Sequence, residues 1–491
     1  MNTSMIRYVL GTVLKIEGLL LFLPVLIALL YQEIYVGTVF LCVAMGSFII
    51  GLLISLQKPD SSVFYLKEGC IITSLSWIFM SIVGALPFWI TGEIPNFTDA
   101  VFETVSGFTT TGASILSDVE ALSHTTLFWR SFTHWVGGMG VLVFLLAIVP
   151  MSGGSHINLM RAESPGPSVG KLVPKLRHTA RILYIIYFIL TILELLLLLF
   201  AQMPLFDAVC TSLGTAGTGG FGILNSSIAD YSVLIQWIVT IFMILFGVNF
   251  NAYYLILFGQ LKDAFKMEEV RAYFGIILAA VAFISFDILS ISEGLFDAIT
   301  KAAFQVGSII TTTGFATTDF DFWPQTSKII LVLLMFVGAC AGSTGGGIKV
   351  SRFIILIKNM FKEFNSYIHP KSIKKVQMDG KPIEHEVVRS VNVYIFTFMI
   401  LFVLSVFLIS FEGKDLVTNF TAVAATINNI GPGLAMVGPT QNFEHFTIFS
   451  KWVFIFDMLA GRLELFPLLI LFHPTLWIQF GTQLKRNIRK K

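Results

Sequence analysis

The chain has 491 residues, 55% hydrophobic and only 13% charged, with a formal net charge of +2 and a mean hydropathy of +0.81. Soluble domains carry about 25% charged residues, so a chain this poor in charge belongs in lipid. Basic runs with interleaved aromatics are missing, which argues against a nucleic-acid partner. Cys42, Cys70, Cys210 and Cys340 sit in apolar stretches without CxxC spacing, which argues against a disulfide framework or zinc site and reads them as small buried hydrophobes.

A spanning helix needs about 20 mostly apolar residues. In chain order the candidates are 9–31, 34–56, 69–91, 125–150, 180–202, 232–260, 272–292, 327–357, 387–411 and 446–480, ten spans in an all-α polytopic membrane protein. The first follows Arg7 and lacks an A-x-A-like cleavage site, so it reads as a retained helix and not a signal peptide. Between the spans sit four segments too short to cross: 97–109, 205–217, 296–311 and 415–428. Each begins near an acid, Asp99, Asp207, Asp297 or Asp415, where a carboxylate suits a helix N-terminus. Each ends in glycine- and threonine-rich sequence, the pattern of a half-helix that dips in and turns back.

Basic residues orient these spans. Of 32 Lys and Arg, 25 fall on one side: Arg7 and those in 57–67, 151–181, 262–271, 349–389 and 485–491. Arg130, Lys301, Lys328, Lys414 and Lys451 fall on or near the other side, and Lys15 and Arg462 lie inside spans. The richer side is cytoplasmic by the positive-inside rule. Both termini are then cytoplasmic and the four short segments enter from an acid-rich outer face that concentrates cations.

After a two-helix extension (1–60), the unit helix, short segment, helix occurs four times, giving repeats over 61–155, 156–262, 263–365 and 366–491. The short segments end in Thr109-Thr110-Thr111-Gly112-Ala113, Gly217-Thr218-Gly219-Gly220-Phe221, Thr311-Thr312-Thr313-Gly314-Phe315 and Asn428-Asn429-Ile430-Gly431-Pro432. Phe102, Cys210 and Phe304 each precede their glycine by ten residues, which favours Gly220 over Gly219 as the anchor of the second string. Irregular backbone survives at membrane depth only where it lines a cavity or is buried in protein. Glycine opens dihedrals closed to other residues, and an extended Gly/Thr loop aims several oxygens at one axis. Four such loops make oxygen rings that replace the hydration shell of a bare cation. The ring residues are Thr110, Thr111 and Gly112; Thr218, Gly219 and Gly220; Thr312, Thr313 and Gly314; and Asn429, Ile430 and Gly431. Because the loops differ, irregular rings with fewer well-formed ion sites are expected.

These strings resemble the pore loops of the Trk/Ktr/HKT cation transporter superfamily. The run Ala341-Gly342-Ser343-Thr344-Gly345-Gly346-Gly347-Ile348-Lys349 resembles the intramembrane loop of its third repeat. The leading helix pair and the length are similar to the TrkH branch. The resemblance implies potassium uptake across a bacterial inner membrane, with a sodium-permeable relative as the alternative. It implies a homodimer with one pore per subunit, surrounded by lipid. It also implies a cytosolic ring of TrkA-type subunits that bind NAD and ATP, with no cofactor on the chain itself. The second string, Gly-Thr-Gly-Gly, and the fourth, Asn-Asn-Ile-Gly-Pro, depart from the family's TTTG.

The glycines, Ser343 and Thr344 of the 341–349 run break an apolar span in mid-membrane, which is costly unless the segment lines the pathway. Ile348 separates the glycines from Lys349, so the run is not a phosphate loop. Two readings stand: a flexible plug below the rings, or a kink for helix packing. Arg462, in the middle of the last span, faces the pathway by resemblance, as a barrier or as a latch on the 341–349 loop; an internal pair with Glu464 or Asp457 is the alternative. Glu17, Glu194 and Asp287 lie at membrane depth as relay sites or structural acids, and Glu103 and Gln305 are placed to hold the loops by hydrogen bonds. The basic loop 358–389, with Lys358, Lys362, Lys371, Lys374, Lys375, Lys381 and Arg389, sets topology, docks a partner, or both, and Asp379-Gly380 predicts a tight hairpin within it. HExxH, GxSxG and Cys/His metal spacings are missing, which argues against a membrane enzyme. The pore subunit of an ATP-driven potassium pump is the nearest transport alternative.

Overall fold

The computed structural model describes residues 2–59, 65–140, 176–371, 375–476 and 478. Six helical stretches are long and apolar enough to cross a membrane: Thr3–Leu30, Ile34–Ser55, Leu66–Thr91, Arg181–Phe200, Glu268–Asp287 and His385–Glu412. The only strands among the described residues are two of two residues each, so the protein is an all-α polytopic membrane protein.

The four remaining expected spans are not continuous helices, and each follows one of the short segments. The expected span 125–150 is helical over His124–Gly138, and 141–175 lie outside the described residues. The expected span 232–260 is two helices, Val233–Phe246 and Phe250–Leu257, bent by 90°. Asn249 causes the break: its side chain accepts the backbone N–H of Asn251 at 2.9 Å and so starts a new helix. The expected span 327–357 separates into Gln325–Val337 and Val350–Ile368 around a non-helical stretch that begins at Gly338, three residues before the predicted loop. The expected span 446–480 breaks after Arg462, where Glu464 and Leu465 take left-handed φ values of 59° and 65°, and a short helix resumes over Phe466–Leu469. Arg462 is thus the last residue of a helix and not its middle, and its cation sits at the carbonyl end where charge of that sign is favoured.

The two leading helices cross closely. A Cβ at Gly11 would lie 2.9 Å from the Gly51 carbonyl oxygen and one at Gly18 2.8 Å from that of Ala44, the small-residue contact that lets membrane helices approach. The linker between them carries Glu33, which accepts the N–H groups of His124 and Thr125 at 2.8 and 2.9 Å and caps the helix of the first repeat. Cys70, Cys210 and Cys340 are buried as expected, but Cys42 is exposed on the second helix of the pair, where an apolar thiol is at home in lipid.

The four short helices fall where the sequence places them: Phe97–Phe108, Leu205–Gly217, Leu295–Ile310 and Leu416–Ile427. Asn96 and Asp415 cap the first and fourth through their side chains, and Asp99, Asp207 and Asp297 occupy the first turns of the first, second and third. Asp99 also pairs with the buried Lys451 at 2.6 Å, and Asp297 with Lys301 at 2.7 Å.

Candidate functional site

All four short helices end in the same backbone device. The residue two before each glycine has a left-handed φ: Thr110 (56°), Thr218 (55°), Thr312 (58°) and Asn429 (56°). Its N–H bonds the carbonyl three residues back, and the next N–H bonds the carbonyl five back, as in Thr110 to Gly107 and Thr111 to Ser106. Thr218 and Gly219, Thr312 and Thr313, and Asn429 and Ile430 repeat the pair of bonds. This is the Schellman ending, usually built on glycine. The glycines follow with φ of 76° at Gly112, 73° at Gly220, 91° at Gly314 and 100° at Gly431. The alternation falls on Gly220 and not Gly219, as the ten-residue register predicts.

The loops close a ring in sequence order. A Cβ on Gly112 would stand 2.0 Å from the Gly219 carbonyl oxygen, one on Gly220 2.0 Å from that of Thr313, one on Gly314 2.2 Å from that of Ile430, and one on Gly431 2.8 Å from that of Thr111. Each loop therefore touches the next and the fourth touches the first, around one axis. The carbonyl ends of four short helices meet there, and each helix terminus adds a partial negative charge.

Polar contacts behind the ring hold its shape. Thr109 and Thr111 share a hydroxyl hydrogen bond of 2.8 Å, and Thr311 and Thr313 one of 2.7 Å. Asn429 Nδ2 donates to Thr111 Oγ1 and to the Met458 carbonyl, both at 2.9 Å, linking the fourth loop to the first. Thr110 Oγ1 is buried and has no hydrogen-bond partner among the described residues. Glu103 does hold a loop: it accepts Ser114 Oγ at 3.0 Å and the Ile115 N–H at 3.1 Å. Gln305 reaches Thr317 Oγ1 only at 3.4 Å.

Sequence reasoning missed two residues here. Arg130 is a fully buried partner of Glu103, 2.8 Å away, and donates to the Gly222 carbonyl at 3.2 Å, so it ties the first repeat to the second. His134 lies one helical turn further on, wedged behind the second loop. Their i, i+4 spacing on one apolar helix, Trp129-Arg130-Ser131-Phe132-Thr133-His134, was the available signal.

The 341–349 run lies directly against the ring. Gly346 N–H donates to Thr312 Oγ1 at 2.6 Å and Gly347 N–H to the Asn428 carbonyl at 3.0 Å. A Cβ on Gly345 would meet the Thr311 carbonyl oxygen at 2.8 Å. Gly342 accepts from Phe250 N–H at 3.1 Å, Ser343 Oγ donates to the Cys340 carbonyl at 2.6 Å, and Thr344 Oγ1 to that of Phe246 at 3.2 Å. Lys349 is buried and its ammonium folds back onto the Gly345 carbonyl. Arg462 donates to the Thr344 carbonyl at 2.9 Å and to those of Gly137 and Gly138, so it bridges the run to the helix of the first repeat. Glu464 pairs instead with Arg352, and Asp457 accepts from Ser405 Oγ at 2.7 Å. Glu269 anchors both ends of the run, taking the Ala341 N–H at 2.7 Å and the Ser351 N–H at 3.1 Å.

Of the membrane-depth acids, Asp287 sits at a helix end and accepts Ser327 Oγ at 2.6 Å, while Glu17 and Glu194 are fully buried. In the basic loop, Gln377–Met378 pairs antiparallel with Lys381–Pro382 across Asp379-Gly380, whose φ values of 51° and 73° make the predicted tight hairpin. Lys374 lies outside the described residues.

Fold and site together define a polytopic membrane protein in which four re-entrant segments of one chain surround a single axis. The profile of the TrkH family, described as "Cation transport protein", matches residues 37–286 and 275–477. The chain belongs to the TrkH cation transport family. The Trk system potassium uptake protein TrkH of Salmonella typhimurium is 36% identical over 488 residues, covering 97% of this chain and 100% of that protein. TrkG of Escherichia coli, of the same system, is 34% identical over 493 residues, covering 97% and 100%. The crystal structure of the potassium transporter TrkH from Vibrio parahaemolyticus superposes with a TM-score of 0.87 at 32% identity, covering 97% and 100%.

Proposed function

We propose that this chain takes up potassium across a bacterial inner membrane, through a single-chain pore with a carbonyl filter and an intramembrane gate. The observation that carries the reading is the closed ring of contacts among Gly112, Gly219, Gly220, Thr313, Gly314, Ile430 and Gly431. A cation on that axis would exchange water for main-chain oxygens without rearrangement of the protein. The relatives named above are potassium uptake proteins, and they support potassium as the cargo.

The filter comprises Thr110, Thr111 and Gly112, with their counterparts in the other three repeats, and faces outside; both termini are cytoplasmic. The 341–349 loop is the gate. Its hydrogen bonds to Thr312 and Asn428, at the third and fourth loops of the ring, support this reading, with Arg462 as the latch to the first repeat. The basic loop 358–389 is the docking surface for a cytosolic nucleotide-binding ring of TrkA type, and the chain works as a homodimer. The hairpin is physically joined to the gate's anchor: Asp379 accepts the N–H of Glu268, the neighbour of Glu269, at 2.7 Å.

Rubidium flux into liposomes holding the purified chain tests this reading. Flux without ATP, competed by potassium more than by sodium, is expected. ATP-dependent flux would favour a pump subunit, equal competition a sodium-permeable member, and no flux would refute the pore. Deleting Gly342–Gly347 raises flux if the loop is a gate; unchanged flux leaves it a packing kink.

A further inference from the structure

The second loop differs from the first and third by carrying glycine on both sides of its left-handed threonine. Where those loops have the hydroxyl pairs Thr109/Thr111 and Thr311/Thr313, it has Gly217 and Gly219. His134 fills the space. A Cβ on Gly219 would stand 2.2 Å from the imidazole Cγ and Nδ1, and one on Gly217 2.2 Å from the His134 carbonyl oxygen. The ring is fully buried, with its centroid 4.2 Å from that of Phe221. Its Nδ1 lies 2.8 Å from the Gly107 carbonyl oxygen, and the Phe221 N–H points at Nε2 from 3.3 Å. A carbonyl oxygen only accepts and an amide N–H only donates, so these partners specify the neutral tautomer protonated on Nδ1. One imidazole thus joins the short helix of the first repeat to the residue that follows the second glycine.

We infer that His134 is a positioning residue for ion discrimination, its ring replacing the threonine hydroxyl pair as the support that fixes the second filter loop. The inference rests on the filter reading. It makes the glycine pair of that loop a consequence of His134 and not a loosening of the filter: residues 134 and 219 are one unit, and threonine at 219 requires a small residue at 134.

The test is a double-mutant cycle in the full-length chain, read as the potassium-to-sodium ratio of liposome uptake. His134→Ala lowers the ratio about tenfold, as expected for two lost hydrogen bonds of ordinary net strength. Gly219→Thr lowers it as well, because the new side chain meets the ring. The combined His134→Ala/Gly219→Thr chain, in which the threonine side chain takes the space the ring has left, recovers much of the ratio. A wild-type ratio in His134→Ala, or losses in the double variant that simply add, would overturn the inference. Where a single variant fails to accumulate in membranes, abundance is the readout: the double variant must accumulate better than either, and equal absence of all three overturns the inference too. Gly314→Ala separates the two ideas. If it lowers the ratio while His134→Ala does not, only the role of His134 fails; if neither lowers it, the filter reading fails with it.

Discussion

Replacing Gly112 by alanine attacks the ring at one point. Its φ of 76° is a conformation that costs a side-chain-bearing residue about 1–2 kcal/mol. The larger effect is steric. The new Cβ would start 2.0 Å from the Gly219 carbonyl oxygen, whereas real Cβ contacts essentially never fall below 3.0 Å. That oxygen must therefore retreat by about 1 Å, or the first loop must move by as much. With about half an elementary charge on the oxygen and an effective dielectric constant of about 20, moving it from about 3 to about 4 Å from a cation costs about 0.7 kcal/mol. One displaced oxygen thus lowers cation affinity about threefold, and disturbing two or three raises the loss to about tenfold or more. Rubidium uptake into liposomes with potassium or sodium as competitor measures it. We expect slower uptake and a reduced preference for potassium. Wild-type rate and preference in Gly112→Ala would refute the claim that these carbonyls face the ion.

Other perturbations test separate parts of the account. Arg462→Gln removes charge-assisted bonds to the Thr344, Gly137 and Gly138 carbonyls, each worth about 1.5–3 kcal/mol; bilayer recordings should show at least a tenfold rise in open probability, and unchanged gating would dismiss the latch. Glu103→Gln leaves Arg130 buried without its anionic partner, a change worth about 3–5 kcal/mol; thermal unfolding in detergent should fall by several degrees, and an unshifted midpoint would speak against a structural pair. Glu33 is partly buried, which raises its carboxyl pKa, but hydrogen bonds from Thr125 and His124 outweigh that and hold it below the ordinary value. Its stabilisation is present above the unfolded pKa, about 4.3, and is lost as pH falls through the folded value. Glu33→Gln should therefore lower the unfolding midpoint at pH 7, with the gap closing in acid; a gap independent of pH would show that ionisation plays no part.

Much of this arrangement could be read from the sequence, for identifiable reasons. The short helices are bounded by Asp99, Asp207, Asp297 and Asp415 at one end and by Gly/Thr strings at the other, and both are local signals. The hairpin at Asp379-Gly380 is equally local, since two left-handed residues suffice to make it. The broken spans were harder. Asn249 and Leu465 interrupt stretches apolar enough to pass as continuous helices, and what stabilises the breaks comes from distant sequence, such as the Glu269 carboxylate that binds Asn249 from another repeat at 3.1 Å. Arg130 and His134 were hidden for the same reason. Their partners, Glu103, Gly107, Phe221 and Gly222, lie 27 to 92 residues away, and proximity to a membrane edge is the simplest reading of an isolated arginine. The glycines of the second string look like a weaker filter until the imidazole that occupies their side-chain space is seen.

The central claim is that main-chain oxygens of four loops in one chain replace water around a passing ion. Anomalous diffraction from crystals grown in rubidium salt tests it most directly. The account predicts peaks on the axis encircled by Gly112, Gly220, Gly314 and Gly431, within coordination distance of oxygens from all four loops. Rubidium bound elsewhere in the membrane-embedded part, with no peak inside that circle, would contradict it.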